Sequence, residues 1–113
     1  MKSSIENKFN LSICRLRQLF SESLINAVYL FGSFRNGTAT EESDMDLIAV
    51  SDIYNGLSGF IRRQNFLSHF ACASLIPLDP KCLTVDEFEL FARSEAYAKE
   101  KPRMIYCSSS VNA

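Results

Sequence analysis

The sequence predicts an α/β (α+β) fold, in which helices pack against a small mixed β-sheet. An apolar stripe with helical spacing runs from Phe9 to Ile25, and two short apolar runs at residues 27–31 and 44–50 have the composition of strands. A helix-capping signal follows at Thr84. The chain has 113 residues and is 47% hydrophobic, which is enough material for one core. We therefore expect a single domain over residues 1–113.

The first helix and the first strand follow from two different apolar patterns. In the helix an apolar side chain recurs every three or four residues, at Phe9, Ile13, Leu16, Phe20 and Leu24. The strand, Ala27–Phe31, is apolar without alternation, which indicates that it is covered on both faces. It stops at Gly32-Ser33.

The middle of the chain is marked by turn residues as much as by apolar spacing. A second strand runs from Asp44 to Val50 and is followed by a loop at Asn55-Gly56. Residues 60–71 have helical spacing, which predicts a helix with a broad buried face. Residues 73–83 form an extended segment, which Pro77 and Pro80 interrupt.

Residues 84–87 form a capping box, because Thr84 precedes Glu87 by three residues at the start of an apolar run. We expect a helix from there to about Lys99, ended by Pro102, and a frayed tail over residues 108–113. The predicted order is helix, strand, polar loop, strand, helix, strand, helix.

The bulk composition narrows the classes of partner and compartment. The formal net charge is −1, so it gives no support to a nucleic-acid partner or an acidic membrane. The N-terminus lacks the apolar core of a signal peptide, and no apolar run approaches the roughly 20 residues that span a bilayer. The four cysteines are scattered without a Cys-x-x-Cys pair. We therefore expect reduced, mostly buried thiols and a cytoplasmic protein.

Two short polar segments carry the candidate chemistry. A strand that ends in Gly32-Ser33 brings backbone N–H groups and a hydroxyl close to an anion, although an ordinary strand-to-helix turn has the same pair. Residues two apart on a strand point to one face, so Asp44 and Asp46 would present two carboxylates roughly 7 Å apart. Such a pair either binds a hard divalent cation or is a solvated acidic strand end.

Taken together, the residues Gly32-Ser33-Phe34-Arg35-Asn36-Gly37 and Ser43-Asp44-Met45-Asp46-Leu47 resemble the Gly-Ser … Asp-x-Asp motif of the DNA polymerase beta-type nucleotidyltransferase superfamily. The resemblance implies that Gly32 and Ser33 hold the β- and γ-phosphates of a nucleoside triphosphate. It also implies that Asp44 and Asp46 bind Mg²⁺, with two ions in the site. Ser43 is either a further phosphate contact or a cap at the strand entrance.

The family's third carboxylate is expected at Asp79, five residues before Thr84. It would complete the second metal site and help to deprotonate the attacking hydroxyl, unless the neighbouring prolines place it in a turn. Many relatives carry an arginine immediately before the second glycine, as a cation over the phosphates, where this chain has Asn36. Arg35, one place earlier, is the candidate substitute for that cation. Outside the motif, His69 is interpreted as a structural histidine and residues 62–63 as a solvated, basic helix face.

The chain resembles in particular the minimal nucleotidyltransferases of prokaryotes, since no acceptor-binding domain is expected after the last helix. Members of that group are commonly paired with a small helical HEPN-type toxin and can transfer AMP from ATP to one of its tyrosine hydroxyls. The resemblance therefore implies a protein adenylyltransferase that acts as the antitoxin of a HEPN/MNT pair. A non-catalytic antitoxin that acts by contact, and a standalone transferase for a small molecule, are the alternatives.

Overall fold

The computed structural model of the protein describes residues 3–108. Helices and strands alternate along most of this range, in the order α1 (Ser3–Ser21), β1 (Ala27–Phe31), α2 (Gly32–Asn36), β2 (Met45–Val50), α3 (Gly59–Phe70), β3 (Leu78–Leu83), α4 (Val85–Phe91), α5 (Glu95–Glu100) and β4 (Arg103–Cys107). Short 3₁₀ turns follow β2 and α3, at Asp52–Tyr54 and Ala71–Ala73. The predicted α/β fold is confirmed.

The four strands form one mixed sheet in the order β3-β2-β1-β4. β1 is antiparallel to both β2 and β4, whereas β2 and β3 are parallel. Of the described strands, β3 and β4 therefore lie at the edges. An edge position suits Pro80 in β3. Proline has no N–H to donate, and the outer side of an edge strand needs no ladder hydrogen bond.

One face of the sheet packs against α1 and α3 and forms the core. The predicted stripe of α1 is buried at Phe9, Ile13, Leu16 and Phe20, but Leu24 is 75% exposed. The prediction for Leu24 is wrong because α1 ends at Ser21, where the Ser23 hydroxyl bonds the carbonyl of Phe20 and turns the chain. The helix begins earlier than predicted as well, at Ser3.

The second face of the sheet is covered in part by α4. The ring of Tyr29 in β1 stacks on Phe88 with 4.7 Å between centroids, and Lys81 Nζ in β3 lies 4.9 Å from the ring centroid of Phe91. Ile48 and Val50 of β2 are buried there, so β2 is covered on both faces beyond Asp46. β1 is only half-buried on this side, which confirms the expectation for it in part.

The predicted broad buried face of α3 is wrong. Phe66 and Phe70 enter the core, but Phe60 is 59% exposed and Ile61 47% exposed. The helix starts in solvent, capped by the Ser58 hydroxyl, and reaches the core only in its second half.

The capping box at Thr84 is confirmed, with both of its reciprocal bonds formed. The single helix expected to reach about Lys99 is instead two short ones, because the chain turns after Phe91 and Ser94 caps a new helix. β4 was not predicted, since its five residues follow Pro102 without a strong period-two pattern. Ser108 is not frayed, because its N–H donates to Asn26 O at 2.8 Å, and the rest of the predicted tail lies outside the described residues.

The expectation that the cysteines are mostly buried is wrong, because Cys14, Cys72 and Cys107 are exposed and Cys82 is only partly buried. Across residues 3–108, no helix is both long enough and apolar enough to cross a membrane.

Candidate active site

The site is built where β1 ends beside the start of β2. Asp46 lies opposite Phe31 in the antiparallel β1–β2 register and opposite Asp79 in the parallel β2–β3 register. Asp46 and Asp79 therefore share the second face of the sheet, at neighbouring positions. The alternative that Asp79 belongs to a turn is excluded, because Asp79 is inside β3.

Gly32 makes room for the Asp46 carboxylate. Its backbone is left-handed, with φ +72°, and a Cβ built on it would overlap Asp46 Oδ2. Glycine is the one residue that both adopts this conformation at low cost and leaves that space open. The chain then enters the short helix α2, which ends at Gly37 with a second left-handed backbone. The half-buried Ser33 is the first residue after Gly32 in this turn.

The carboxylates around Asp46 repel one another. Partial burial and the nearby charge of Asp79 raise the pKa of Asp46 to about 6, and protonated Asp46 can also donate a hydrogen bond to Asp79. Asp44 and Glu100 add smaller repulsions in the same direction. Sequence reasoning missed Glu100, the last residue of α5, because no motif marks it.

Asp79 is paired with an arginine of α3. Arg63 Nη1 donates to Asp79 Oδ1 at 2.5 Å and contacts the Pro80 carbonyl at 3.4 Å. The neighbouring Arg62 is only 11% exposed, and it bonds Glu87, Cys82 O and Leu57 O. The interpretation of residues 62–63 as a solvated face is therefore wrong for Arg62, which is largely buried, and holds for Arg63, which is exposed although it pairs with Asp79.

Asp44 and Ser43 lie just before β2. Asp44 is exposed, one residue ahead of the first strand residue, Met45. Ser43 Oγ accepts a hydrogen bond from Thr40 N at 2.9 Å, which closes the turn that leads into the strand. This bond favours the capping role for Ser43 over a phosphate contact.

Arg35 has a contact that its sequence position did not suggest. Its Nε donates to Lys101 O at 2.9 Å and so ties α2 to the corner between α5 and β4. Among the described residues other than glycine, Lys101 is the one with a positive φ, at 47°. The guanidinium that was the candidate phosphate contact thus has a structural bond as well. His69 is exposed, with Nδ1 3.1 Å from Ser68 Oγ, as expected for a structural histidine.

The donor set fits a divalent cation in its chemistry. Asp46 and Asp79 supply adjacent carboxylate oxygens, and their mutual repulsion is what a hard cation relieves. Within residues 3–108, however, no group of three or more His, Cys, Asp or Glu side chains is placed to hold a metal ion. The three-ligand set of Asp44, Asp46 and Asp79 stays a prediction, of which the structure brings two members together on one sheet face.

Two surface cavities differ in their relation to this site. A cavity of about 600 Å³ lies between α1 and β4 and is lined by Phe9, Ile13, Arg17 and Tyr106 among others, none of them a predicted site residue. A groove of about 600 Å³ on α3 is lined by Phe60, Arg63 and Leu67, and it shares Arg63 with the site.

The mixed sheet, the adjacent carboxylates of Asp46 and Asp79 and the turn at Gly32 agree with the nucleotidyltransferase fold that the motif predicted. The sequence matches the nucleotidyltransferase domain family over residues 13–104, which is most of its length. The chain belongs to this family. No curated protein matches the sequence significantly.

A solved structure shares this fold. A Sulfolobus solfataricus protein described as a candidate nucleotidyltransferase superposes with a TM-score of 0.53 at 21% identity, over 80% of this chain and 81% of that one. Two likenesses are more distant, each over 95% of this chain and 77% of the other. They are a toxin–antitoxin complex with AMP-PNP (TM-score 0.44, 19% identity) and a mutant MntA–HpeT toxin–antitoxin complex (0.43, 17%).

Proposed function

We propose that this protein transfers a nucleotidyl group, AMP from ATP, to a hydroxyl of a partner protein in a Mg²⁺-dependent reaction. The observation that carries the proposal is the placement of Asp46 and Asp79 side by side, next to the Gly32 turn. Membership of the nucleotidyltransferase family supports the reaction class. The nucleotide, the metal and a cytoplasmic HEPN-type toxin as partner follow from the motif's resemblance to minimal nucleotidyltransferases.

Each site residue has a role in this proposal. Gly32 and Ser33 line the place where the β- and γ-phosphates bind, and Gly32 keeps the backbone close to Asp46. Asp44, Asp46 and Asp79 would hold Mg²⁺, which when bound neutralises the triphosphate and the leaving pyrophosphate. The capping bond of Ser43 fixes the loop that delivers Asp44 and Asp46 to the start of β2.

The proposed reaction is an in-line displacement at phosphorus. The acceptor hydroxyl oxygen forms a bond to the α-phosphorus, the bond from that phosphorus to the bridging oxygen of the β-phosphate breaks, and pyrophosphate leaves with the electron pair. Asp79 accepts the hydroxyl proton. The protein contributes mainly by positioning and by electrostatics, as is general in phosphoryl-group chemistry.

The test uses ATP labelled in two ways. The purified protein is incubated with Mg²⁺, the product of the neighbouring gene and ATP labelled at either the α- or the γ-phosphate. We expect label on the acceptor from α-labelled ATP only, and none from an Asp44→Asn/Asp46→Asn variant. Label from γ-labelled ATP would show phosphoryl transfer and contradict the proposal.

The same experiment separates the alternatives. A complex with the partner that forms equally well with wild type and variant, without any label transfer, would indicate a non-catalytic antitoxin. Consumption of α-labelled ATP into a small product in the absence of any protein acceptor would indicate a small-molecule transferase. Asp52→Asn is a matched control, because Asp52 is an exposed aspartate that bonds Val85 N, away from Asp46.

A further inference from the structure

Arg63 supplies a positive charge beside Asp79 that does not depend on a bound metal ion. Its guanidinium donates to Asp79 Oδ1 at 2.5 Å, and Asp79 is the register partner of Asp46. Two adjacent carboxylates in a partly buried site are unfavourable without a positive charge nearby. Among the described residues, Asp79 forms its ion pair with Arg63.

The place of Arg63 on α3 is supported by the contacts of the residue before it. It lies on α3, one residue after Arg62, which is anchored to Leu57 O, Cys82 O and the Glu87 carboxylate. Arg62 bonds the Cys82 carbonyl and Arg63 contacts the Pro80 carbonyl, two residues apart on β3. Carbonyls two apart on a strand point to the same side, so the two arginines follow the outer edge of β3.

We infer that Arg63 is a positioning residue for Asp79, which holds and neutralises this carboxylate before the divalent cation binds and then competes with that cation. The inference rests on the proposed function, since it assigns a role within the same site. Both partners are about half exposed, at 46% and 52%, so the ion pair is weak enough to be exchanged. Arg63 thereby keeps the site assembled while it lowers the affinity for the metal.

The competition predicts an effect in an unusual direction, because removal of a site residue should tighten metal binding. With Arg63→Gln, the cation no longer has to displace a guanidinium from the Asp79 carboxylate. We expect the affinity for Mn²⁺, measured by the electron paramagnetic resonance signal of the free ion, to rise about two- to fivefold, the range that corresponds to an exposed ion pair. Mg²⁺ should also raise the melting temperature of Arg63→Gln more than that of wild type.

Three further variants make the result specific. Arg63→Lys keeps the charge and should bind Mn²⁺ nearly as wild type does. Arg15→Gln removes the same charge from an exposed position on α1 and should leave the affinity unchanged. In an Asp79→Asn background, Arg63→Gln should have no effect, because the arginine acts through Asp79. Circular dichroism checks that every variant is folded.

The outcomes separate the two proposals. Equal Mn²⁺ affinities for Arg63→Gln and Arg15→Gln, or an effect of Arg63→Gln that persists without Asp79, would overturn the role of Arg63 and leave nucleotidyl transfer standing. Mn²⁺ binding to wild type that Asp46→Asn does not reduce would contradict the proposed metal site, and the inference with it.

Discussion

At the scale of single residues, the site depends on the absence of one side chain. The Asp46 carboxylate occupies the space that a Cβ on residue 32 would need, and the backbone of Gly32 has a φ of +72°. The nearest atoms to that Cβ all belong to Asp46, whose side chain can rotate away. A side chain at position 32 would therefore damage the site more than the fold.

A glycine series tests this separation. Gly32→Ala and Gly56→Ala should each lose about 1 kcal/mol of unfolding free energy, because both positions have a left-handed backbone. Only Gly32→Ala should also lose nucleotidyl transfer, since only there does the new Cβ displace Asp46. Gly59→Ala, with neither a positive φ nor a neighbour within 4 Å, is the control. Urea unfolding and the α-label assay measure the two effects; equal activity of Gly32→Ala and Gly56→Ala would contradict the role of Gly32.

The charged carboxylate of Asp46 should destabilise the protein when no metal ion is bound. Its carboxylate is partly buried beside Asp79, and the raised pKa, about 6, shows that the charged form is disfavoured in the fold. Asp46→Asn should therefore raise the unfolding free energy at pH 7 in the absence of divalent ions by about 1 kcal/mol, a value kept small because the group is partly solvated. Thermal unfolding in a chelator measures it. A variant less stable than wild type under these conditions would show that the repulsion at Asp46 is relieved in the metal-free protein.

At the scale of elements, Glu87 joins three parts of the structure. Its carboxylate closes the capping box of α4 by accepting from Thr84 N, and it also accepts from Arg62 of α3, which bonds β3 in turn. The hydrogen bonds from Arg62 and Thr84 lower the pKa of Glu87 to about 2. The charged form of Glu87 is therefore favoured in the folded state, and the connection between α3 and α4 depends on it.

The pH dependence of this contribution has a definite sign. A carboxyl whose pKa is lower in the folded state, about 2 here against 4.5 for an ordinary glutamate, stabilises the fold above pH 4.5 and loses that effect as the pH falls toward 2. Glu87→Gln should cost about 0.5–1 kcal/mol at pH 7, since the side chain is partly exposed, and the difference from wild type should shrink below pH 4.5. Glu89→Gln, on the exposed side of the same helix, is the control in denaturant unfolding at several pH values. A difference that stays constant down to pH 2 would contradict the ion pair.

At the scale of the whole molecule, Phe20 joins the two helices of the core to the edge strand. Its ring centroid lies 6.1 Å from that of Phe66, 4.9 Å from Phe70 and 5.6 Å from Tyr106, so it contacts side chains of α3 and β4 from α1. β4 in turn pairs with β1, whose end carries the Gly32 turn. The packing around Phe20 thus supports the sheet on which the site is built.

Phe20 and Leu24 belong to the same predicted apolar stripe but should contribute differently to the unfolding free energy. Phe20→Ala should lose about 3–5 kcal/mol of unfolding free energy, because it leaves a large cavity, and Phe20→Leu less than half of that. Leu24→Ala should change the stability by less than about 0.5 kcal/mol, because Leu24 is exposed. Chemical denaturation measures all three. A loss at Leu24 comparable with that at Phe20 would show that Leu24 is buried in solution.

The elements with local signals could be predicted from the sequence. The bounds of β1, the capping box at Thr84 and the Gly-Ser … Asp-x-Asp segment all depend on residues within a few positions of one another, so period and turn chemistry were sufficient. The resemblance carried by that segment also predicted the family, which the match over residues 13–104 confirms.

Which charged groups lie side by side depends on strand register and helix packing. Strand spacing paired Asp44 with Asp46, and only the family resemblance placed Asp79 in the same site; the parallel register of β2 and β3 sets Asp79 directly opposite Asp46. The packing of α3 brings Arg63 to Asp79 across 16 residues, and the α5–β4 corner brings Glu100 close to Asp46. Such meetings depend on strand order and helix packing, which are chosen by the burial of the whole core. Local spacing in the sequence does not indicate strand order or helix packing. The arrangement of charges in the candidate site therefore depends on the fold.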